Sequence, residues 1–192
     1  MSSLKTIRDG ITNSLFLHDS LERLEDEGIS VRPEGGATQV SDINVDDFSP
    51  RIRFQAAQMR EIYVGFFCLE NAARELITQR LSERHGTSWW TAKVPKKIRD
   101  SVDSLKKKEE KNKYLSSRSV SEIGYTFFGN LCQIIIGNWE DFNDLFPDQA
   151  WITSRFNDLE ACRNIIMHTN VLPQEEIDRI NGIIRDWLSQ VG

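Results

Sequence analysis

The stretch Ser49–Gly86, SPRIRFQAAQMREIYVGFFCLENAARELITQRLSERHG, decides the fold. Serine caps a helix through its side-chain oxygen and proline is pre-set for the first helical turn, so Ser49-Pro50 predicts a helix start. Gly86, after His85, marks its end. Between these signals Phe54, Ile62, Phe66, Leu69, Ala73, Leu76, Ile77 and Leu81 recur at helical spacing and describe one core-facing stripe. This would be the longest helix of the fold, and such a stripe needs other helices to cover it.

Those partners follow downstream. A helix from about Pro95 to Tyr114 has only Ile98, Val102 and Leu105 as its apolar row, with lysines around the rest, so it belongs on the surface. Ser119 followed by Glu122 has the form of a capping box opening a very apolar helix through Ile136, in which Gly124 and Gly129 let a neighbouring helix approach closely. Asp148, after Pro147, caps a helix through Trp151, Phe156, Leu159, Cys162, Ile166 and Met167, with Asn170 as its stop. The last helix begins around Pro173, carries Glu175 and Glu176 where the helix dipole favours acid, and runs through Ile177, Ile180, Ile184 and Leu188. No segment reads as a strand. The expectation is an all-α bundle of four or five main helices.

Upstream, Leu15, Phe16, Leu17, Leu21 and Leu24 predict one amphipathic helix between about Thr12 and Glu27, stopped by Gly28. Residues 28–50, with Pro33, Gly35-Gly36, Ser41-Asp42 and Asp46-Asp47, show little periodicity and mark a linker. The expected organisation is therefore an acidic N-terminal helix plus linker over 1–48 and a helical domain over 49–192.

Charge is segregated within an overall balance of −5. Residues 1–50 carry four basic side chains against ten acidic ones, a net of −6, whereas residues 93–113 carry nine basic against four acidic, a net of +5. The overall sign argues against a protein that coats nucleic acid through bulk charge. Three cysteines, Cys68, Cys132 and Cys162, are odd in number and lie in apolar runs, so they read as buried free thiols of a reducing compartment. No apolar stretch approaches the roughly 18 residues of a membrane span and the N-terminus lacks an apolar signal core; a cytosolic location, off the membrane, is expected.

Familiar catalytic patterns are absent: no Walker-type glycine loop, no GxSxG, no HExxH and no CxxC. The three histidines, His18, His85 and His168, have no His, Cys or carboxylate at ligand spacing, so no metal and no cofactor is expected. Any catalysis falls to side chains. His168 sits near the C-terminal end of a strongly patterned helix, where the dipole favours a cation. Asn164 lies four residues earlier and Glu160 four before that, forming a polar ridge. Arg163 lies about 140° around the helix from His168, within reach of the ridge or of a partner molecule. An arginine, an amide and a histidine supply what cleavage by an RNA 2′-hydroxyl requires, a proton donor or acceptor and a fixed cation for the dianionic transition state. Two copies about a two-fold axis would provide both acid and base. On spacing alone, an ion-pairing arginine and a helix-end histidine are the commoner explanation of the pair.

The motif Arg163-Asn164-Ile165-Ile166-Met167-His168 resembles the Arg-polar-x3-His signature of the HEPN superfamily. Phe66-x-x-Leu69-Glu70-Asn71-x-x-Arg74-Glu75-Leu76-Ile77, Trp89-Trp90, Val94-Pro95 and Asp186-Trp187-Leu188 resemble the branch fused to PIN-type endonucleases in mRNA quality control and common in prokaryotic defence loci. The resemblance covers about residues 52–190. It implies a helical bundle that dimerises so that two motifs face each other and cuts RNA without metal, leaving a 2′,3′-cyclic phosphate and a 5′-hydroxyl. Arg163 becomes the phosphate-binding cation, His168 the acid–base residue and Asn164 an orienting or phosphate-contacting group. Glu70 and Glu160 are supporting candidates, while Glu70 and Arg74 also read as an ordinary helix pair.

Lys96, Lys97, Lys106, Lys107 and Lys108 fit a phosphate-backbone track, and Trp89 or Trp90 could stack on unpaired bases, although at least one belongs in the core. The expected partners are RNA, a second copy of the chain, and a protein inhibitor or partner through the N-terminal segment, as for a toxin or antiviral effector. Two other functions compete: a non-catalytic HEPN dimerisation, RNA-binding or antitoxin module, and a small-molecule or nucleotide sensor.

Overall fold

A computed structural model describes residues 45–112, 114 and 116–191. Of the chain's two units, Met1–Asp47 and Phe48–Gly192, the first contributes only the 3-10 turn Val45–Asp47 to the described part. The expected helix over Thr12–Glu27 lies outside the described residues.

The second unit contains α1 (Pro50–His85), a five-residue α2 (Trp89–Lys93), α3 (Lys96–Glu110), α4 (Phe128–Gly137), α5 (Gln149–Met167) and α6 (Gln174–Val191). Among the described residues there is no strand, so the chain is an all-α bundle. At the start of α1, Ser49 Oγ accepts the Ile52 N–H at 3.4 Å and Pro50 occupies the first turn; Gly86, at φ 70°, closes the end. Glycine suits this left-handed conformation, which costs other residues energy. Ile62, Phe66, Leu69, Glu70, Ala73, Ile77 and Leu81 are the buried face. Phe54, expected in that stripe, is 65% exposed, and no residue of α1 before Ile62 is buried. Periodicity gives the phase of a helix, but only a neighbour turns phase into burial.

The core is joined by aromatic rings. Phe128 of α4 meets Phe66 of α1 edge-on at 6.2 Å and Phe156 of α5 at 5.6 Å, and Phe156 meets Trp187 of α6 at 5.7 Å. At the C-terminal end of α1, Asp141 is buried and receives Arg84 at 3.2 Å and His85 at 2.8 Å, clasping the helix to the segment after α4. Burial pushes the Asp141 carboxyl up, but His85 and then Arg84 outweigh it and hold the group below its ordinary value. This contribution to stability is present above the ordinary carboxylate range and is lost as pH falls through the depressed value.

Three sequence expectations need correction. The helix expected from Pro95 to Tyr114 stops at Glu110, little more than a turn past Leu105, the last residue of its apolar row. Ser119 does not open a helix: its Oγ accepts the Ser121 N–H at 3.2 Å, a 3-10 turn follows over Glu122–Tyr125, and α4 begins at Phe128. Buried Ile123, Tyr125 and Thr126 pin that turn, so tertiary burial overrides the capping pattern. Gly124 accordingly packs against the Ser119 side chain and not against a helix. Cys68 is exposed, unlike Cys132 and Cys162, because it falls on the uncovered side of α1. Trp89 is buried and Trp90 half-buried, the rings meeting edge to face at 5.6 Å, which settles both in or against the core.

Helix α5 starts as expected, with Asp148 Oδ1 accepting the Trp151 N–H at 2.7 Å. Its end is unusual. The Asn170 N–H reaches the Ile165 carbonyl at 3.1 Å and the Thr169 N–H reaches Ile166 at 2.8 Å, a Schellman arrangement that puts Thr169 at φ 60°. A β-branched residue there is strained by about 1–2 kcal/mol. Thr169→Gly is therefore expected to raise the unfolding temperature by about 3 °C, a gain of about 1 kcal/mol; a fall would show that the end of α5 does not need this conformation.

Candidate active site

The C-terminal half of α5 faces α1 across a solvent-open cleft of about 370 Å³, lined by Tyr63, Phe66, Phe67, Glu70, Asn71 and Arg74 from α1, Arg163, Ile166 and Met167 from α5, and Arg118 from the loop before α4. Arg163 is half-buried. Its Nε lies 3.8 Å from Glu70 Oε2, its Nη1 donates to Asn164 Oδ1 at 3.5 Å, and its guanidinium sits 5.2 Å from the Phe127 ring centre. Ring and carboxylate thus hold a cation whose outer side faces the cleft.

Glu70, only 7% exposed, lies between two arginines. Its Oε1 pairs with Arg74 Nη2, which also donates to the Thr126 carbonyl at 2.7 Å, while Arg74 Nη1 donates to Asn71 Oδ1 at 3.0 Å. Arg74 Nε is buried without a partner. Burial raises the Glu70 carboxyl above its ordinary value; Arg74 and then Arg163 oppose the rise, and Glu160 adds to it. Burial likewise lowers the Arg74 guanidinium, partly offset by Glu70. A raised carboxyl stabilises the fold in its protonated form, so that contribution is complete below the ordinary carboxylate range and is lost as pH rises through the raised value. Protonation also releases both arginines from their shared counter-charge. Glu70→Gln is expected to bind a polyphosphate probe about fivefold more tightly than wild type at neutral pH, with wild type approaching it on acidification. Weaker binding by the variant would show that Glu70 holds the arginines in place and does not compete for them.

The polar ridge expected along α5 is divided. Glu160 turns to α4, where its Oε2 takes the Gly129 N–H at the helix start. A Cβ at residue 129 would lie 2.7 Å from that oxygen, which is why glycine stands there. A carboxylate at a helix N-terminus is a cap, and Glu160 caps α4. Asn164 is exposed. His168 is the C-cap residue of α5, exposed, with its carbonyl accepting from Thr169 Oγ1 at 2.7 Å and Asn170 Nδ2 at 3.2 Å. It lies outside the walls of the cleft that holds Arg163.

None of the five lysines lines that cleft. Lys96 pairs with Asp100 at 2.6 Å, and Lys106 pairs with Glu122 at 2.7 Å and lies over the Tyr125 ring. Lys97, Lys107 and Lys108 are exposed with no ion pair among the described residues. On α3, Lys106 falls about 180° from Lys97, so the five do not form one face.

Arg74, Arg118 and Phe127 are the site residues that sequence reasoning missed. Arg74 carries a local signal, its spacing from Glu70, but that spacing fits an ordinary helix pair equally well. Among the described residues no group of three His, Cys, Asp or Glu is placed to hold a metal ion, and no helix is long and apolar enough to cross a membrane.

An all-helical bundle whose penultimate helix closes on Arg-x4-His defines a domain of the HEPN class. More particularly, the family described as Swt1-like HEPN matches residues 65–192, and the chain belongs to that family. HEPN domains are generally ribonucleases and often dimerise and bind RNA. No curated protein and no solved structure matches the chain.

Proposed function

We propose that the chain is a metal-independent endoribonuclease in which a ribose 2′-hydroxyl attacks the adjacent phosphate, leaving 2′,3′-cyclic phosphate and 5′-hydroxyl ends. The observation that carries it is the pairing of a held guanidinium, Arg163, in an open cleft beside Arg74 and Arg118, with an exposed imidazole, His168, at the end of the same helix. The arginines supply positive charge for the dianionic transition state and the imidazole moves the proton. Asn164 orients the histidine or contacts phosphate.

One imidazole does not serve both ends of an in-line displacement, and His168 stands clear of its own cleft. A homodimer answers both points, with one His168 as base toward the 2′-oxygen and the other as acid toward the 5′-oxygen. Tyr63, Val64, Phe67, Met167 and Val171, apolar or aromatic and 40–58% exposed, give a second copy apolar surface near the motif. Lys97, Lys107 and Lys108 add backbone-phosphate contacts that weaken with salt. The cellular role is that of a toxin or antiviral effector, with the acidic residues 1–48 offering a site for an inhibitor.

A second reading, a non-catalytic HEPN module, is favoured by one observation: Glu70 and Phe127 already satisfy Arg163, as they would a structural arginine. Cleavage of a mixed RNA pool in EDTA separates the two. The nuclease cuts as wild type and fails as Arg163→Ala; equal residual cutting by both proteins leaves the module.

A further inference from the structure

The cleft around Arg163 does not end at Arg74. Asn71 and Arg74 also line a second cleft, of about 540 Å³, between the next turns of α1, with Glu75, Thr78 and Gln79, and the loop carrying Ser119 and Ser121. The α1 residues share one helix face through three- and four-residue spacing. The loop is folded tightly on itself, since a Cβ at Gly124 would fall 2.2 Å from Ser119 Oγ and 2.3 Å from its Cβ.

We propose that this second cleft seats the nucleoside adjoining the scissile phosphate of single-stranded RNA, with Arg74 the guanidinium shared by the two clefts. The proposal rests on the nuclease reading of the first. Its chemistry changes at Arg74. The first cleft is rich in guanidinium groups, as a phosphate requires, whereas the second offers amides and hydroxyls, each able to donate and accept, with one arginine offset by one glutamate. Such a lining suits the open edges of an unpaired base. Glu75 disfavours a phosphate at the far side, which keeps the strand's charge at the Arg74 end.

Size and spacing agree. Asn71 to Thr78 spans about 10 Å along the helix axis, and the volume lies within the roughly 300–1,000 Å³ of small-molecule sites. Arg74 retains donor capacity, because of its five N–H groups three are engaged by Glu70, Thr126 and Asn71, leaving the buried Nε–H and a second Nη1 hydrogen, the latter for a phosphate oxygen. Beyond Ser119 a further cleft is lined by Lys106, Glu109 and Glu110, with Glu109 paired to Arg118 at 2.6 Å.

The test measures binding of 2′-fluoro RNA, one to four nucleotides long and unable to supply the attacking hydroxyl, to the full chain and to Thr78→Trp and Arg163→Ala. Thr78→Trp fills the second cleft from a half-buried helix position away from Arg163. In wild type, affinity should rise with each added nucleotide until both clefts are filled. Thr78→Trp should erase about tenfold of that gain while leaving competition by inorganic phosphate unaffected, and Arg163→Ala should weaken every length. Should Thr78→Trp not fold, Ser121→Glu on the exposed loop reports the same cleft and carries the same expectation. Wild-type length dependence in the variant that folds overturns the second cleft alone. Failure of the wild-type chain to bind any length overturns the nuclease reading as well.

Discussion

His168→Ala is expected to lower RNA cleavage by about 10²–10⁴-fold, the usual contribution of a positioned acid–base group, while leaving the unfolding temperature within about 1 °C of wild type. The separation of the two effects is what makes the prediction sharp. His168 is exposed, and the bonds that close α5 run from its backbone N–H to Asn164 and from neighbours to its carbonyl, all of which alanine retains. Arg163→Ala is a different experiment, because it also removes one counter-charge from buried Glu70. Cleavage by His168→Ala at the wild-type rate, measured on the same RNA at equal folded fraction, would remove the imidazole from the chemistry.

The largest loss of stability is expected at Phe128. This ring is fully buried where α1, α4 and α5 meet, edge-on to both Phe66 and Phe156. Phe128→Ala removes the ring and leaves a cavity that three packed helices cannot close, a cost of about 3–5 kcal/mol. That corresponds to a fall in unfolding temperature of about 10 °C or more, read by thermal or urea denaturation. A loss below about 1 kcal/mol would mean that α4 does not dock on α1 through this ring. The fold would then lack the junction that sets α1 beside the motif helix.

Much of the bundle was legible because its signals are local. Ser49-Pro50 and Gly86 bracket α1, Asp148 caps α5, and the apolar stripes give the faces that pack. That Arg163 and His168 share one helix is legible for the same reason. What escaped depends on contacts between distant segments. Arg74 looks like a helix pair until its side chain is seen to reach the Thr126 carbonyl, 52 residues away. Glu160 belongs by spacing with Asn164 and His168, yet the start of α4 presents an N–H that draws its carboxylate away. Arg118 lies in a loop with no period to announce it. Ser119 and Glu122 have the composition of a cap, but the burial of Ile123 and Tyr125 fixes a 3-10 turn there, and Glu122 pairs with Lys106. Local chemistry set the elements, and long side chains crossing between them set the site.

The mechanism is tested most directly with a DNA oligonucleotide carrying one ribonucleotide, incubated in EDTA with the wild-type chain and with His168→Ala. The wild-type chain is predicted to cut only on the 3′ side of that ribose, leaving a 2′,3′-cyclic phosphate and a 5′-hydroxyl, and the variant to leave the oligonucleotide whole. Cutting at deoxyribose positions, 5′-phosphate ends, or equal cutting by both proteins would contradict it.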